Sequence, residues 1–173
     1  MATPPPTLTP VLISACLLGR PVRFDGRGAA RPHPLIDRLQ AAGRLIPLCP
    51  EIAGGLPTPR PPAELVPTGH VTDGAGGRAV IDATGADVTA AFATGAALAV
   101  ETARRAGARL ALLKARSPSC GAGLVYDGSF SGRLIAGDGL TAAALSAAGI
   151  IVCADDDLDR ATGLLAEIDG DSA

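Results

Sequence analysis

The sequence predicts an α/β fold, a Rossmann-like, mainly parallel sheet with flanking helices and a small β-hairpin excursion. Three observations carry this. Four short, largely apolar segments, beginning at Val11, Arg44, Arg109 and Ile150, have the length of buried strands. Helix-compatible segments alternate with them, the pattern of strands joined by crossovers. Glycine and proline, 22 and 15 of the 173 residues, punctuate the junctions, so the connecting turns are closely specified.

Taken in order, residues 1–10 read as a disordered Pro-rich tail, and residues 11–170 as a single α/β domain. Residues 11–15 form the first strand, ending in Cys16. A polar loop follows, with a turn at Asp25-Gly26, then a short helix from Pro34 that stops at Gly43. Residues 44–48 are the second strand and end in Cys49, with Pro50 next. Residues 53–63, rich in Gly and Pro, suit neither a helix nor a central strand. Residues 64–86 read as a hairpin, Leu65 and Val66 against 79–81 across a turn at 73–77.

From Asp87, which can cap it, a helix runs to Gly107 with Val88, Phe92 and Leu98 on one face. Gly95 in its middle costs about 1 kcal/mol relative to alanine, which predicts a close backbone contact there. Residues 109–114 form the third strand, closed by the turn Ser117-Pro118-Ser119-Cys120-Gly121. A second hairpin is expected from 124–126 and 130–135 around Asp127-Gly128. Thr141 can cap a helix that stops at Gly149. Residues 150–152 are the fourth strand, before Cys153. Asp155, Asp156 and Asp157 suit the start of a last helix whose apolar face is Leu158, Leu164, Leu165 and Ile168.

Composition excludes several function classes. Lys+Arg 15 against Asp+Glu 17 leaves no basic footprint for a nucleic acid, and 2% aromatic residues leave no base-stacking platform. The longest early apolar run is too short for a membrane span, and no basic stretch precedes it as in a secretory signal. The expectation is a cytoplasmic protein with neither a nucleic-acid nor a membrane partner. In that compartment its four cysteines stay reduced, as ligands, catalytic thiols or core residues.

Three of the cysteines share a setting. Cys16, Cys49 and Cys120 each follow a predicted strand and each opens a turn containing Gly or Pro. In an open parallel sheet, ligands gather beyond the carboxyl ends of the strands. Three thiolates there suit zinc or an iron–sulfur cluster. Singly, each also reads as a small buried residue. Cys153 has no such turn and reads as core.

The segments Ser14-Ala15-Cys16-Leu17-Leu18-Gly19, Pro47-Leu48-Cys49-Pro50-Glu51 with Gly54-Gly55-Leu56-Pro57-Thr58-Pro59-Arg60, and Leu113-Lys114-Ala115-Arg116-Ser117-Pro118-Ser119-Cys120-Gly121 resemble the thiouracil desulfidase family. The likeness spans about residues 11–153 and takes in Asp87-Val88-Thr89, Phe92, Gly95-Ala96 and Gly137-Asp138-Gly139. It implies a [4Fe-4S] cluster held by Cys16, Cys49 and Cys120, with one iron left open. It further implies a small thiolated pyrimidine as substrate, 2-thiouracil becoming uracil and hydrosulfide without net redox chemistry.

Under that reading Glu51 is a general acid/base, with a surface or ion-pair carboxylate as the plain alternative. Ser117 and Ser119 are candidates to bond the ring carbonyl or place the water, or else serve the turn around Pro118. Arg60, Lys114 and Arg116 offset the charge of the thiolates and of an anionic product, or are solvated or salt-bridged cations. His33 and His70 read as loop residues, and Gly137-Asp138-Gly139 as a turn rather than an anion cradle. A competing class is a cluster- or zinc-binding module without turnover, in sulfur or iron handling. Sulfur insertion into transfer RNA ranks last, for want of a nucleotide-binding loop or excess positive charge.

Overall fold

Burial explains the strands first. Residues 11–14 and 110–113 are buried at every position, as strands covered on both faces must be. The computed structural model describes residues 8–67 and 77–171. Four parallel strands, β1 (Val11–Ser14), β2 (Leu45–Leu48), β5 (Leu110–Leu113) and β8 (Ile151–Ala154), make a sheet of order β2-β1-β5-β8. Val11, Ile13, Leu110, Leu112 and Cys153 pack against α1 (Pro34–Ala41) and α5 (Leu158–Gly170) on one face. Leu12, Ala111 and Leu113 pack on the other, against α3 (Thr89–Ala106) and α4 (Leu140–Ala147). The predicted α/β architecture with a mainly parallel sheet is therefore present.

The chain winds from β1 outward to β2, then returns to the far side of β1 to lay down β5. This reversal opens a crevice beyond the carboxyl ends of β1 and β5, where such sheets bind ligands. Two antiparallel hairpins flank it. They are β3 (Ala63–Pro67) with β4 (Arg78–Asp82), and β6 (Leu124–Tyr126) with β7 (Leu134–Ala136). Leu65, Val80, Phe92, Val125 and Leu140 join both hairpins to α3 and α4.

Several local expectations need correction. Leading residues 1–7, the turn at 73–76 and His70 lie outside the described residues. Thr9, assigned to the tail, is buried: its N–H bonds Asp169 at 3.2 Å and its carbonyl accepts from Arg44. Asp87 does accept the Thr89 N–H at 2.9 Å, though Val88 holds the cap position of α3. That helix buries Phe92, Gly95, Ala96, Ala99 and Ala103, with Leu98 only half-buried. The β6–β7 hairpin is present, but its second strand starts at Leu134 and not at Phe130, so the connection around Asp127-Gly128 is longer than expected. The Glu64 carboxylate holds it, accepting the N–H groups of Gly128 and Phe130 at 2.9 and 3.0 Å. Gly139, not Thr141, caps α4, because the Thr141 hydroxyl is bonded to Ser119 at 2.8 Å. Cys153 lies inside β8 rather than beyond it.

The segment after Cys49 differs most. Pro50–Ala53 form one helical turn, α2, with proline at its first position, where no N–H is needed. A helix this short is unstable alone. It is docked on α3 so closely that a Cβ on Gly54 would lie 2.0 Å from the Ala91 carbonyl oxygen, and one on Gly95 2.0 Å from that of Pro50. This is the contact that Gly95 predicted. Helix propensity alone would make Gly95→Ala stabilising by about 1 kcal/mol. The collision predicts the opposite, a loss of about 1–3 kcal/mol, to be read from urea unfolding of the metal-free protein.

Candidate metal centre

Ser14, Leu48 and Lys114, at or just past the ends of β1, β2 and β5, open onto one cavity of about 590 Å³. Cys16, Cys49 and Cys120 all line it, as do Glu51, Arg60, Arg116 and Ser117. Cys16 sits in a 3-10 turn (Ala15–Leu18) that follows β1 directly and closes on Gly19 in the left-handed region. Cys49 holds the cap position of α2, which places Glu51 in the helix's first turn. The β5 loop carries Cys120. Its Cys120 and Ser119 N–H groups both donate to the Ser117 hydroxyl oxygen at 3.1 Å.

That last pattern fixes what Ser117 can do. Its oxygen already accepts twice, so its remaining capacity is the O–H proton, which makes it a donor and not a base. Ser119 is elsewhere. It is fully buried, its hydroxyl bonded to Thr141, and it does not line the cavity. Of the two candidate serines only Ser117 is brought to the site. Cys153 is also absent from the lining, buried between the sheet and α5. His33 caps α1, its Nδ1 accepting the Leu35 N–H. Asp138 accepts the Gly123 N–H at 2.7 Å, and a Cβ on Gly139 would meet the Ser119 carbonyl oxygen at 2.3 Å. The N–H groups of Gly137, Gly139, Leu140 and Thr141 are bonded to the carbonyls of Gly123, Gly121, Pro118 and Ser119, so the stretch is a packed turn whose donors are already used.

The thiols share one electrostatic neighbourhood. Burial pushes Cys16 up to about 11; a charge on Cys49 adds to the rise, while Lys114 and Arg23 oppose it. Burial pushes Cys120 up to about 12, against a hydrogen bond with Ser14 and with Glu51, Cys16 and Cys49 adding to it. Cys49, half-buried, is raised by burial too, with backbone N–H bonds from Ile52 and Glu51 working the other way. Left to themselves these are neutral thiols, and a metal binds only after displacing their protons. Lys114 is anchored for this task. Its Nζ lies 3.2 Å from Asp155 Oδ1, and the same oxygen accepts the Ala115 N–H at 2.6 Å. Asp155 thus serves the site and not the start of α5.

Three soft donors around an open cavity fit a thiolate-bound metal group. Among the described residues no three His, Cys, Asp or Glu side chains close in tightly enough to hold a single metal ion. A cluster, being larger than one ion, suits thiols spread around a cavity of this size. Ser14, Arg23 and Asp155 were given no site role from the sequence. Ser14 was read only as part of the Cys16 motif, and Asp155 only as part of the start of the last helix.

The thiol environments predict reactivity. At pH 8 a group with a pKa of about 11 is thiolate in roughly one molecule per thousand. Iodoacetamide should therefore label Cys49 of the folded metal-free protein first. Cys16 and Cys120 should react at least about 100-fold more slowly than in urea and quicken as pH rises. Equal rates for all three would contradict these environments.

Comparisons with known proteins bear on this arrangement. Residues 11–157 match the 2-thiouracil desulfurase family. The chain is 40% identical over 152 residues to the uncharacterized protein YbbK of Bacillus subtilis (strain 168), covering 86% of this chain and 97% of that one. Its fold matches the solved structure of the [4Fe-4S]-dependent thiouracil desulfidase TudS with a TM-score of 0.82 and 45% identity, over 91% of this chain and 98% of TudS. Among the described residues no helix is long and apolar enough to cross a membrane. With its three cysteines gathered on one cavity, this chain belongs to the 2-thiouracil desulfurase family.

Proposed function

We propose that this protein is a cytoplasmic iron–sulfur desulfidase that hydrolyses a small thiolated pyrimidine, converting 2-thiouracil and water to uracil and hydrogen sulfide. One observation carries the reading: in a chain of this family, three cysteines from three strand ends line the same cavity as the Glu51 carboxylate. The likeness to TudS, [4Fe-4S]-dependent by its name, supports the choice of cofactor. Cys16, Cys49 and Cys120 would hold the cluster, and its one iron without a protein ligand would supply a soft Lewis acid for the thiocarbonyl sulfur.

The chain's own groups divide the remaining work. Glu51 accepts a proton from the water that attacks the thiocarbonyl carbon and returns it to the departing sulfur. Ser117, restricted to donating, bonds the ring carbonyl of the pyrimidine. Lys114, held by Asp155, offsets negative charge as hydrosulfide forms. The carbon–sulfur bond breaks, a carbon–oxygen bond forms, and no electron is gained or lost. The competing module without turnover has no use for a carboxylate beside the thiols, nor for so open a cavity.

Hydrolysis has an isotopic signature. Anaerobically reconstituted protein given 2-thiouracil in ¹⁸O-water should yield uracil with a single ¹⁸O atom and an equal amount of sulfide. Sulfide without ¹⁸O in the uracil would overturn the mechanism, and no sulfide would overturn the function. Glu51→Gln should retain its iron while turnover falls by roughly 10²–10⁴-fold. Iron lost along with activity would make Glu51 structural.

A further inference from the structure

We propose that Arg60 is a positioning residue for Glu51, holding one carboxylate oxygen so that the other is presented to the cavity. This rests on the proposed function and goes beyond it, since the sequence offered Arg60 only as a counter-charge to the thiolates or as a solvated or salt-bridged cation.

A guanidinium has five N–H donors, and here all five are used. Nε donates to Glu51 Oε2 at 2.8 Å, and Nη2 donates to the same oxygen. The second Nη2 proton reaches the Val22 carbonyl at 3.2 Å. Nη1 donates to the Pro57 carbonyl at 3.0 Å and to Thr58 Oγ1 at 3.2 Å. The Arg60 backbone N–H is bonded as well, to the Phe24 carbonyl at 2.8 Å. The side chain is only 6% exposed, and that of Glu51 16%.

The mode of pairing matters. Arginine–carboxylate pairs are frequently fork-to-fork, with one guanidinium N–H on each carboxylate oxygen. Arg60 instead places two donors on Oε2. Oε1 takes no hydrogen bond among the described residues, and Glu51 lines the cavity. The carboxylate is thus clamped on one side and chemically free on the other, as a proton-transferring group needs. Arg60 also ties Glu51 to the loop carrying Val22, whose carbonyl faces the Cys49 thiol at 3.8 Å. Lysine, a point charge with three donors, cannot reproduce five directed bonds.

A double-mutant cycle on the reconstituted enzyme tests this, with iron content and thermal midpoint measured on every sample. Arg60→Gln should lower kcat by roughly 10²-fold, the cost of misplacing a reacting group. KM should change little and iron should be retained, and Arg60→Lys should not restore kcat. Combined with Glu51→Gln, Arg60→Gln should add nothing further, because it acts through a carboxylate already removed. Losses that multiply, or an activity loss matched by iron loss, would overturn the proposal. A second readout needs no cluster. In the metal-free protein the Arg60 Nε–H resonance should exchange slowly and shift on Glu51→Gln. A fast-exchanging signal indifferent to Glu51 would overturn the proposal even if the wild type turns over. A wild type that loads iron yet releases no sulfide would instead overturn the proposed function, leaving this resonance to decide whether Arg60 holds Glu51.

Discussion

The backbone contact between α2 and α3 governs the site. Cys49 and Glu51 ride on a helix of four residues, which has no stability of its own. Gly54 and Gly95 let the two backbones touch, each glycine meeting a carbonyl oxygen of the other helix where any side chain would collide. Because α3 also packs against the sheet through Ala99 and Ala103, the contact ties the cysteine of β2 to the same frame that carries Cys16 and Cys120. Small residues along α3 are thus a steric requirement at one end and a packing solution at the other.

Charge is the second constraint. Burial favours neutral thiols at Cys16 and Cys120, and the same burial gives each cation and hydrogen-bond donor nearby more influence than it would have in water. Lys114, Arg23 and the Ser14 hydroxyl oppose the rise, each held or placed by a different element. Metal loading must then displace protons from these thiols. The acids of the cavity are kept in order separately: Glu64 is bonded to a hairpin loop, Asp82 to Thr84 and Ala86, and Glu51 to Arg60. Only the last stands in the first turn after a cysteine.

Local signals were legible in the sequence. Strand ends, their cysteines and the glycine in mid-helix are written in consecutive residues, and so is the likeness of the three motifs to a known family. What stayed hidden depends on partners distant in the chain. Asp155 looks like part of an acidic helix start until Lys114 and Ala115, some forty positions earlier, claim its carboxylate. Ser119 looks equal to Ser117 until Thr141 turns it into the core. The loop after Asp127 is long because Glu64 on another hairpin holds it. Pro50 after Cys49 suggested a plain turn, and only α3 makes it a helix.

The central claim, that Cys16, Cys49 and Cys120 together hold an iron–sulfur cluster and Cys153 takes no part, is tested most directly by metal analysis. Protein purified and reconstituted without oxygen should carry about four irons and matching sulfide per chain. The Cys153→Ser variant should carry the same, and each of Cys16→Ser, Cys49→Ser and Cys120→Ser should lose the iron. One zinc per chain with no iron, or iron lost from Cys153→Ser, would contradict it.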